Sequence, residues 1–550
     1  PVHIVMFTPY EHNSCRGKGR LSMPETFYCD FEPASREALP VPYLSAPSAA
    51  PIALRPGRQL LVDDALIEFS SCVRRWHQAR PYAGNPVLQP ETPHELGNGE
   101  CPVAAPFNDG VWYDPQDGLY KLFYHAGWFH GTALATSHDG IHWQRPDFGI
   151  VGHSNLLLPI RDSYERDGAL VWLDQHANTP DERWKMFIYN RHRQGAGAEL
   201  LASPDGIHWH YRCPSGPCGD NSSFFYDPFQ QRWIFSIRVG FPGTGRARAY
   251  LARENFFAPP WHEARMAKGA VGDDLTPIAW ARSDQHDRCE EATQFQPQLY
   301  DLNATPYESV MLGLFAIFHG PENNHCEILG CPKRIDLHPA FSRDGFHWSR
   351  CDNRQPLLAC SRQRGSWDRG YLHAAGGGCL VYKDKIRFYY GAWSGQSTLG
   401  PGQKGHSSRG AFAMYAGAAT GFAELRRDGF ASMHTDSEAL IHTRCLAPGA
   451  RPYLFINAAA EALRVEVLDE NNRVVPGYAI ADALPFRGDS CAAPIRWHEH
   501  QTMPALPHCK LRITIDSGDI YSFWFSEHPD GRSGGYLAAG SPDYGSDRDS

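Results

Sequence analysis

The chain predicts an all-β protein, a five-bladed β-propeller followed by a C-terminal β-sandwich. Two observations carry that expectation. The first is a heptad met three times: Ser137-His-Asp-Gly-Ile-His-Trp143, Ser203-Pro-Asp-Gly-Ile-His-Trp209 and Ser342-Arg-Asp-Gly-Phe-His-Trp348. The copies start 66 and then 139 residues apart. That is one step of about 70 followed by two, with an eroded copy between, and self-similarity at a fixed period means stacked supersecondary units. The second is texture: short runs rich in aromatic and β-branched residues, bounded by Asp, Gly and Pro, with no helical periodicity of comparable length.

Taken in order, residues 1–55 are irregular and Pro-rich and read as an N-terminal arm. The propeller is expected over 56–430. Gln59-Leu-Leu-Val-Asp-Asp-Ala-Leu-Ile67 reads as an early strand that could close the ring by joining the last blade. Strands are predicted at 104–113, 120–126 and 132–136, with an Asp-Gly turn leading to Trp143. The second blade is predicted at 168–174, 184–189, 199–202 and 208–212, and the third at 222–226, 232–238 and 248–253. The Asp-Gly pair tolerates positive φ and suits a tight hairpin. The eroded copy is due near 272, where Gly272-Asp-Asp-Leu-Thr-Pro-Ile-Ala-Trp280 keeps an Asp and a Trp, and a further copy near 412. From 431 to 527 the runs Pro452-Tyr-Leu-Phe-Ile-Asn457, Ala462-Leu-Arg-Val-Glu-Val-Leu468, Lys510-Leu-Arg-Ile-Thr-Ile515 and Ile520-Tyr-Ser-Phe-Trp-Phe525 alternate in period two, the pattern of a sandwich. Residues 528–550 are rich in Gly, Ser and Asp and read as an extended tail.

A 550-residue chain with 42% hydrophobic and 12% aromatic residues can bury a large core. Its net charge of −9, without basic runs, argues against nucleic acid and anionic membrane surfaces as partners. No run approaches the roughly 18 apolar residues of a spanning helix. The 15 cysteines are odd in number and show no CxxC spacing, which argues against a zinc cluster and a complete disulfide framework. Cys213 and Cys218, across a Pro-Gly turn, are the pair best placed for a disulfide. The chain begins at Pro1 without an initiator Met and shows no signal peptide, so that one was removed and that none existed both stay open; a secreted or periplasmic location is the expectation. No cofactor is expected and no ligand spacing supports a metal, although a propeller's central channel could hold a structural Ca2+ or other cation.

A propeller is a scaffold, so function has to come from a site. Innermost strands line the axis, and polar residues at their starts converge there. Those segments hold Glu95, Glu100, Asp162, Glu165, Asp167, Asp220, Asp287, Glu290, Glu291 and Asp368, with Arg161, Arg166, Arg288, Arg369 and His373. Paired carboxylates with interleaved Arg are what glycosidic cleavage requires, one acid protonating the leaving oxygen while a second carboxylate attacks the anomeric carbon or activates water. Trp128, Trp172, Trp367 and Trp393 suit sugar stacking. Asp139, Asp205, Asp344 and His142, His208, His347 recur in three blades, so they read as turn braces.

The heptads, the blade pattern and the C-terminal strands together resemble the propeller glycosidases of glycoside hydrolase families 32 and 43 over about 60 to 527. Gly219-Asp-Asn-Ser-Ser-Phe-Phe-Tyr-Asp-Pro-Phe229 and Tyr307-Glu-Ser-Val-Met-Leu-Gly-Leu-Phe315 carry the likeness to family-32-like proteins. The family-32 boxes are met only as echoes, in Asn108-Asp-Gly110 and Arg161-Asp-Ser163, and Glu100-Cys-Pro102 repeats a Glu-Cys motif on a different blade. The resemblance implies one acid on each of the first three inner strands, falling on Glu100, Asp167 and Asp220. Glu308, a carboxylate in an apolar strand, joins them as a catalytic candidate. Arg166, Arg238, Trp128, Asp368, His373 and Glu291 are the expected sugar-binding residues. The expected activity is hydrolysis of a terminal sugar from a plant or algal oligo- or polysaccharide. Two alternatives are a phosphorylase using Arg161, Arg166, Arg246, Arg248 and Lys333 for phosphate, and a non-catalytic glycan-binding propeller.

Overall fold

The computed structural model describes residues 27–46, 49–97, 101–160, 165–191, 197–291, 293–329, 331–395 and 417–550. Among them, antiparallel strand groups succeed one another along the chain. The first holds Ala104–Asp114, Leu119–Ala126 and Gly131–Ser137. The second holds Arg166–Leu173, Trp184–Asn190, Ala198–Ser203 and His210–Pro214, and the third Ser223–Asp227, Arg232–Phe241, Gly245–Arg253 and Ile278–Ala281. A fourth holds Gln298–Glu308, Val310–Gly320, Arg334–Ser342 and Ser349–Arg350, and a fifth Tyr371–Ala374, Lys385–Trp393 and Ala418–Arg426. Observed bounds match the expected strands to within a few residues, except that past Trp143 the expected fourth strand is reduced to a Thr136–Gln144 bridge.

The first strands of neighbouring groups meet. Asn108 and Asp109 pair in parallel with Ala169 and Leu170, and Asn108 also bridges in parallel to Ala375 of the fifth group. Ser223 Oγ donates to the Leu302 carbonyl at 2.7 Å, joining the third group to the fourth. Aromatic rings fill the space between groups: Trp112 lies 4.7 Å from Trp172, which is 6.4 Å from Phe224.

All three heptads build the same turn. The Ser Oγ accepts the Gly N–H at 2.9 Å in each. The Asp carboxylate accepts the next two backbone N–H groups and pairs with the His Nδ1, all at 2.7–3.0 Å. Gly140, Gly206 and Gly345 have φ of 72°, 79° and 77°, the left-handed region that favours glycine. The Asp carbonyl remains free to accept from the preceding group. Lys121 Nζ donates to Asp205 O at 3.5 Å, Gln230 Nε2 to Asp344 O at 2.7 Å, and Arg387 Nη1 of the fifth group to Asp139 O of the first at 2.9 Å. Trp280, in the eroded copy, lies on the outer strand of the third group and donates from Nε1 to Phe346 O at 2.7 Å. Of the further copy expected near 412, positions 412–416 lie outside the described residues, and Ala418–Arg426 is a strand of the fifth group.

The early strand departs from expectation. Gln59–Leu60 pairs with Phe523 and Ser522, Ile67–Ser70 with strand Ala439–Thr443, and Val73–Trp76 with strand Ala431–Thr435. Residues 59–76 therefore belong to the C-terminal sheet, and Arg80–Pro81 instead pairs with the outer edge of the fifth group at Ala423 and Glu424. Leu61, Leu66 and Ile67 bury against Ile441, Val465 and Phe523. A period-two pattern marks a strand's apolar face but not which sheet receives it. In that C-terminal sheet Tyr453–Leu468 changes partner part-way, pairing with Gly518–Ser526 up to Ala460 and with Lys510–Ile515 from Leu463.

The tail is also packed rather than loose. Tyr536–Leu537 pairs with Glu308 and Tyr307, and Ser533 and Asp549 enter a buried charge cluster. There Glu308 accepts from Arg427 at 2.8 Å, from Ser533 Oγ at 2.7 Å and from the Arg58 N–H at 3.1 Å. Arg427 also reaches Asp549 at 2.7 Å, and Arg58 reaches Asp428 at 3.1 Å. The cluster ties the fourth group, the C-terminal sheet and the tail together. None of the described cysteines is disulfide-bonded, Cys213 and Cys218 included. No helix among the described residues is long and apolar enough to cross a membrane.

Removing one partner of a buried ion pair leaves an uncompensated charge. Arg427→Met, which strands Glu308 and Asp549 together, is expected to destabilise the protein by about 3–5 kcal/mol in urea unfolding. A loss below about 1 kcal/mol, within the range of a surface pair, would mean that the cluster does not hold the assembly.

Candidate functional site

Asp167 and Asp220 come together where the second and third groups adjoin. Asp167 is the second residue of its strand, and Asp220 sits three residues ahead of Ser223. Gly168 lies so near the turn before Ser223 that a Cβ there would stand 3.3 Å from the Asn221 nitrogen. Asn221 has φ 56°, a conformation that Asn adopts more readily than most residues.

One guanidinium joins the two acids. Arg191 follows strand Trp184–Asn190, and its N–H bonds the Glu165 carbonyl at 3.1 Å, which holds it opposite the start of Asp167's strand. Its Nε lies 2.7 Å from Asp167 Oδ2 and its Nη2 3.3 Å from Asp220 Oδ2. Arg238 Nη1 stands 3.3 Å from Asp220 Oδ1, with its N–H bonded to Ser222 Oγ at 2.9 Å. The Asp167 carboxyl is 1% exposed while that of Asp220 is 26% exposed. Burial, then the charge of Asp220, push the Asp167 carboxyl up to about 6 against the pull of Arg191.

Further cations surround Asp220. Arg246 is bound to Glu322 at 2.8 Å and to Gln298 Oε1 at 2.7 Å. Lys333 is buried, and burial followed by the charge of Arg246 pushes it down to about 8. Both lie over the rings of Tyr300 and Phe318, at 5.1–5.9 Å from the ring centroids. Asp220 acts electrostatically on Arg246, Lys333 and Tyr300. On the other side, Arg191 stacks over Phe129 at 4.6 Å, and Phe129 contacts half-buried Trp128 at 4.5 Å.

Of the expected residues, Asp167, Asp220, Arg238 and Trp128 are thus brought into one neighbourhood. His373 is buried deeper, ringed by Phe107 at 4.2 Å, Tyr371 at 5.4 Å and Tyr300 at 5.8 Å. Arg166 is also buried, and its guanidinium braces Asp109 instead of facing solvent. Glu308 is not in the site. Leu302, which bonds Ser223, is level with the third group's first strand, and Glu308 lies six residues further along, about 20 Å away at strand rise. It is fully enclosed in the cluster with Arg427, so a catalytic role for it is withdrawn. Glu291 is exposed on the loop before the fourth group, its carbonyl accepting from Gln294. Asp368 accepts from Ser366 Oγ on the loop before the fifth. Glu100 lies outside the described residues, as does Arg161.

Sequence reasoning missed Arg191, Phe129, Tyr300 and Glu322. Arg191 follows a strand end next to Asn190 and carried no spacing signal. Two of the axial acids turn out to be structural: Glu95 closes a helix capping box and binds Tyr124 and Arg145, and Asp287 holds Arg350 through both carboxylate oxygens.

No family model matches the chain, and no curated protein matches it. Among solved structures it is similar to an exo-β-1,3-galactanase from Phanerochaete chrysosporium, at 10% identity over 77% of this chain and 96% of that one, with a TM-score of 0.34. It is also similar to a β-1,2-mannobiose phosphorylase from Listeria innocua, at 12% identity over 64% and 98% of the two chains, with a TM-score of 0.40. A thermostable family-43 glycoside hydrolase is similar at 10% identity over 58% and 92%, with a TM-score of 0.37.

The Asp167 carboxyl should titrate near 6, as followed by difference NMR of carboxyl-labelled aspartate against Asp167→Asn. Because an acid's raised folded pKa favours the proton-bound folded state, its contribution to stability is full below the unfolded value near 3.9 and is lost as pH rises through about 6. Arg191→Met, which removes a lowering charge, should move the midpoint higher. A midpoint at or below 4 in the unmodified protein would refute this electrostatic account.

Proposed function

We propose that the five strand groups are the blades of a five-bladed β-propeller, that residues 431–527 with the strands of 59–76 form a β-sandwich, and that the protein is a glycoside hydrolase acting on a terminal sugar. The observation that carries the reading is the Asp167–Asp220 pair sharing Arg191, one carboxyl buried and the other open, beside Trp128 and Phe129. Two acids whose surroundings differ this way can divide the labour of glycosidic cleavage.

In this mechanism Asp167 starts as the carboxylic acid. Its proton goes to the glycosidic oxygen as the bond to the anomeric carbon breaks, and the bonding electron pair stays on that oxygen. Asp220, as carboxylate, either attacks the anomeric carbon or takes a proton from the attacking water. Arg191 and Arg238 keep Asp220 in place, and Trp128 with Phe129 offers an apolar face to the sugar ring. The substrate class we favour is a plant or algal oligo- or polysaccharide.

A second reading, a phosphorylase, has its own support: Arg246 and Lys333 stand on the far side of Asp220 with Arg238, a concentration of cations suited to phosphate. Phosphate would then replace water as the attacking group and leave as the glycosyl phosphate.

Asp220→Asn is expected to lower kcat by about 10²–10⁴-fold on any substrate. Asp167→Asn should do so on natural linkages but be largely spared on aryl glycosides with acidic phenols, which need no protonation. Full activity in both variants would sink the assignment. Incubation with and without inorganic phosphate, read for free sugar against sugar phosphate, separates hydrolase from phosphorylase. A glycan array showing binding with no turnover in either assay would favour a binding protein.

A further inference from the structure

Apart from Asp167 and Asp220, the fourth group brings together two histidines and an aspartate. Asp336 and His338 are two residues apart on strand Arg334–Ser342, so both side chains leave the same face. Strand Val310–Gly320 runs antiparallel beside it, with Phe315 opposite His338 and Ile317 opposite Asp336, and the register shifts between Phe318 and Gly320. His319 is the extra residue of that irregularity, and such bulges re-aim side chains.

One ligand atom from each of His319, Asp336 and His338 lies within 4.8 Å of the others. His319 Nε2 is 3.5 Å from Asp336 Oδ2, close to the separation of about 3.4 Å between two donors about 2.1 Å from a tetrahedral zinc ion. All three residues are buried. Both ring nitrogens of His319 and both of His338 lack hydrogen-bond partners, so each imidazole keeps a buried nitrogen that can face the Asp336 carboxylate as a ligand.

The surroundings are those of a ligand set. Asp336 Oδ1 accepts the Cys360 N–H at 2.8 Å, which orients the carboxylate and leaves Oδ2 toward His319, as outer partners of metal ligands do. Two guanidinium groups stand nearby, and each already has a counter-charge. Arg362 Nη2 is 3.6 Å from Asp336 Oδ2 but 2.5 Å from Glu290, and Arg350 is held by Asp287 at 2.7 and 2.8 Å.

We propose that His319, Asp336 and His338 bind a divalent transition-metal ion, zinc by the two-imidazole, one-carboxylate donor set, with a fourth position left for water. The ion would clamp the two ends of the segment 320–335, which carries Glu322 and Lys333. The proposal does not depend on the chemistry assigned to Asp167 and Asp220.

The test uses the full chain, stripped with a chelator, re-equilibrated with Zn2+ and gel-filtered before elemental analysis. About one zinc per chain is expected, with a raised Tm. Co2+ in its place should give the intense visible absorption of a tetrahedral nitrogen and oxygen site. His338→Ala and, separately, His319→Gln should weaken metal binding by more than about 100-fold, since even outer-partner changes cost 10–100-fold, with the circular dichroism spectrum unchanged. Two results overturn the proposal: less than about a tenth of an ion per chain with no cobalt spectrum in the unmodified protein, or the same stoichiometry and spectrum in both variants, which would assign the ion to other histidines. The unmodified protein decides by its cobalt spectrum even if a variant fails to fold.

Discussion

The peptide carbonyl of the heptad aspartate is the contact that recurs between strand groups, joining the first to the second, the third to the fourth and the fifth to the first. Within each heptad the Ser hydroxyl and the Asp carboxylate satisfy the N–H groups of a tight turn, and the His Nδ1 locks the carboxylate. That leaves the Asp carbonyl facing outward at the same position of each turn, where a residue of the preceding group donates to it. The donors are Lys121, Gln230 and Arg387, three residue types alike only in ending in an N–H. The acceptor therefore repeats in the sequence while the donor does not. Because Arg387 joins the fifth group to the first, the same contact also links the two ends of the series.

That arrangement gives the two ends of the first strands opposite electrostatic fates. At one end Glu308 is enclosed by Arg58, Arg427, Ser533 and Asp549, contributed by the C-terminal sheet and the tail. Between the ends, Asp109 and Asp301 are buried, each against a single arginine, and burial lifts both carboxyls to about 6. Only toward the end that holds Asp220 does a carboxylate of this set keep solvent exposure, and there Arg191 and Arg238 provide charge without enclosure. A residue's type does not separate these roles. What covers it does.

Much of the fold was legible locally. The heptads marked the hairpins, and strands such as 184–190 and 232–241 fall where aromatic and β-branched runs stop at turn residues. Asp167 and Asp220 were legible too, because counting from the heptads located the starts of first strands. Arg191 was not, since it reaches the acids only after strand Trp184–Asn190 folds back on Arg166–Leu173. Nor was the His319 cluster: Asp336-Leu-His338 carries a same-face spacing, but the third member comes from a neighbouring strand through a register shift.

The all-β class, the repeat and the turn that marks each hairpin follow from the amino-acid order, because period-two alternation and Asp-Gly turn chemistry act over a few neighbouring residues. The tertiary structure alone decided which sheet residues 59–76 join, that 528–550 is packed, and that Glu308 is a buried strut while Asp220 stays open. Those outcomes depend on which distant surfaces cover an edge or a charge. Coverage is a property of the folded chain as a whole, and a linear pattern of apolar and polar residues does not encode it.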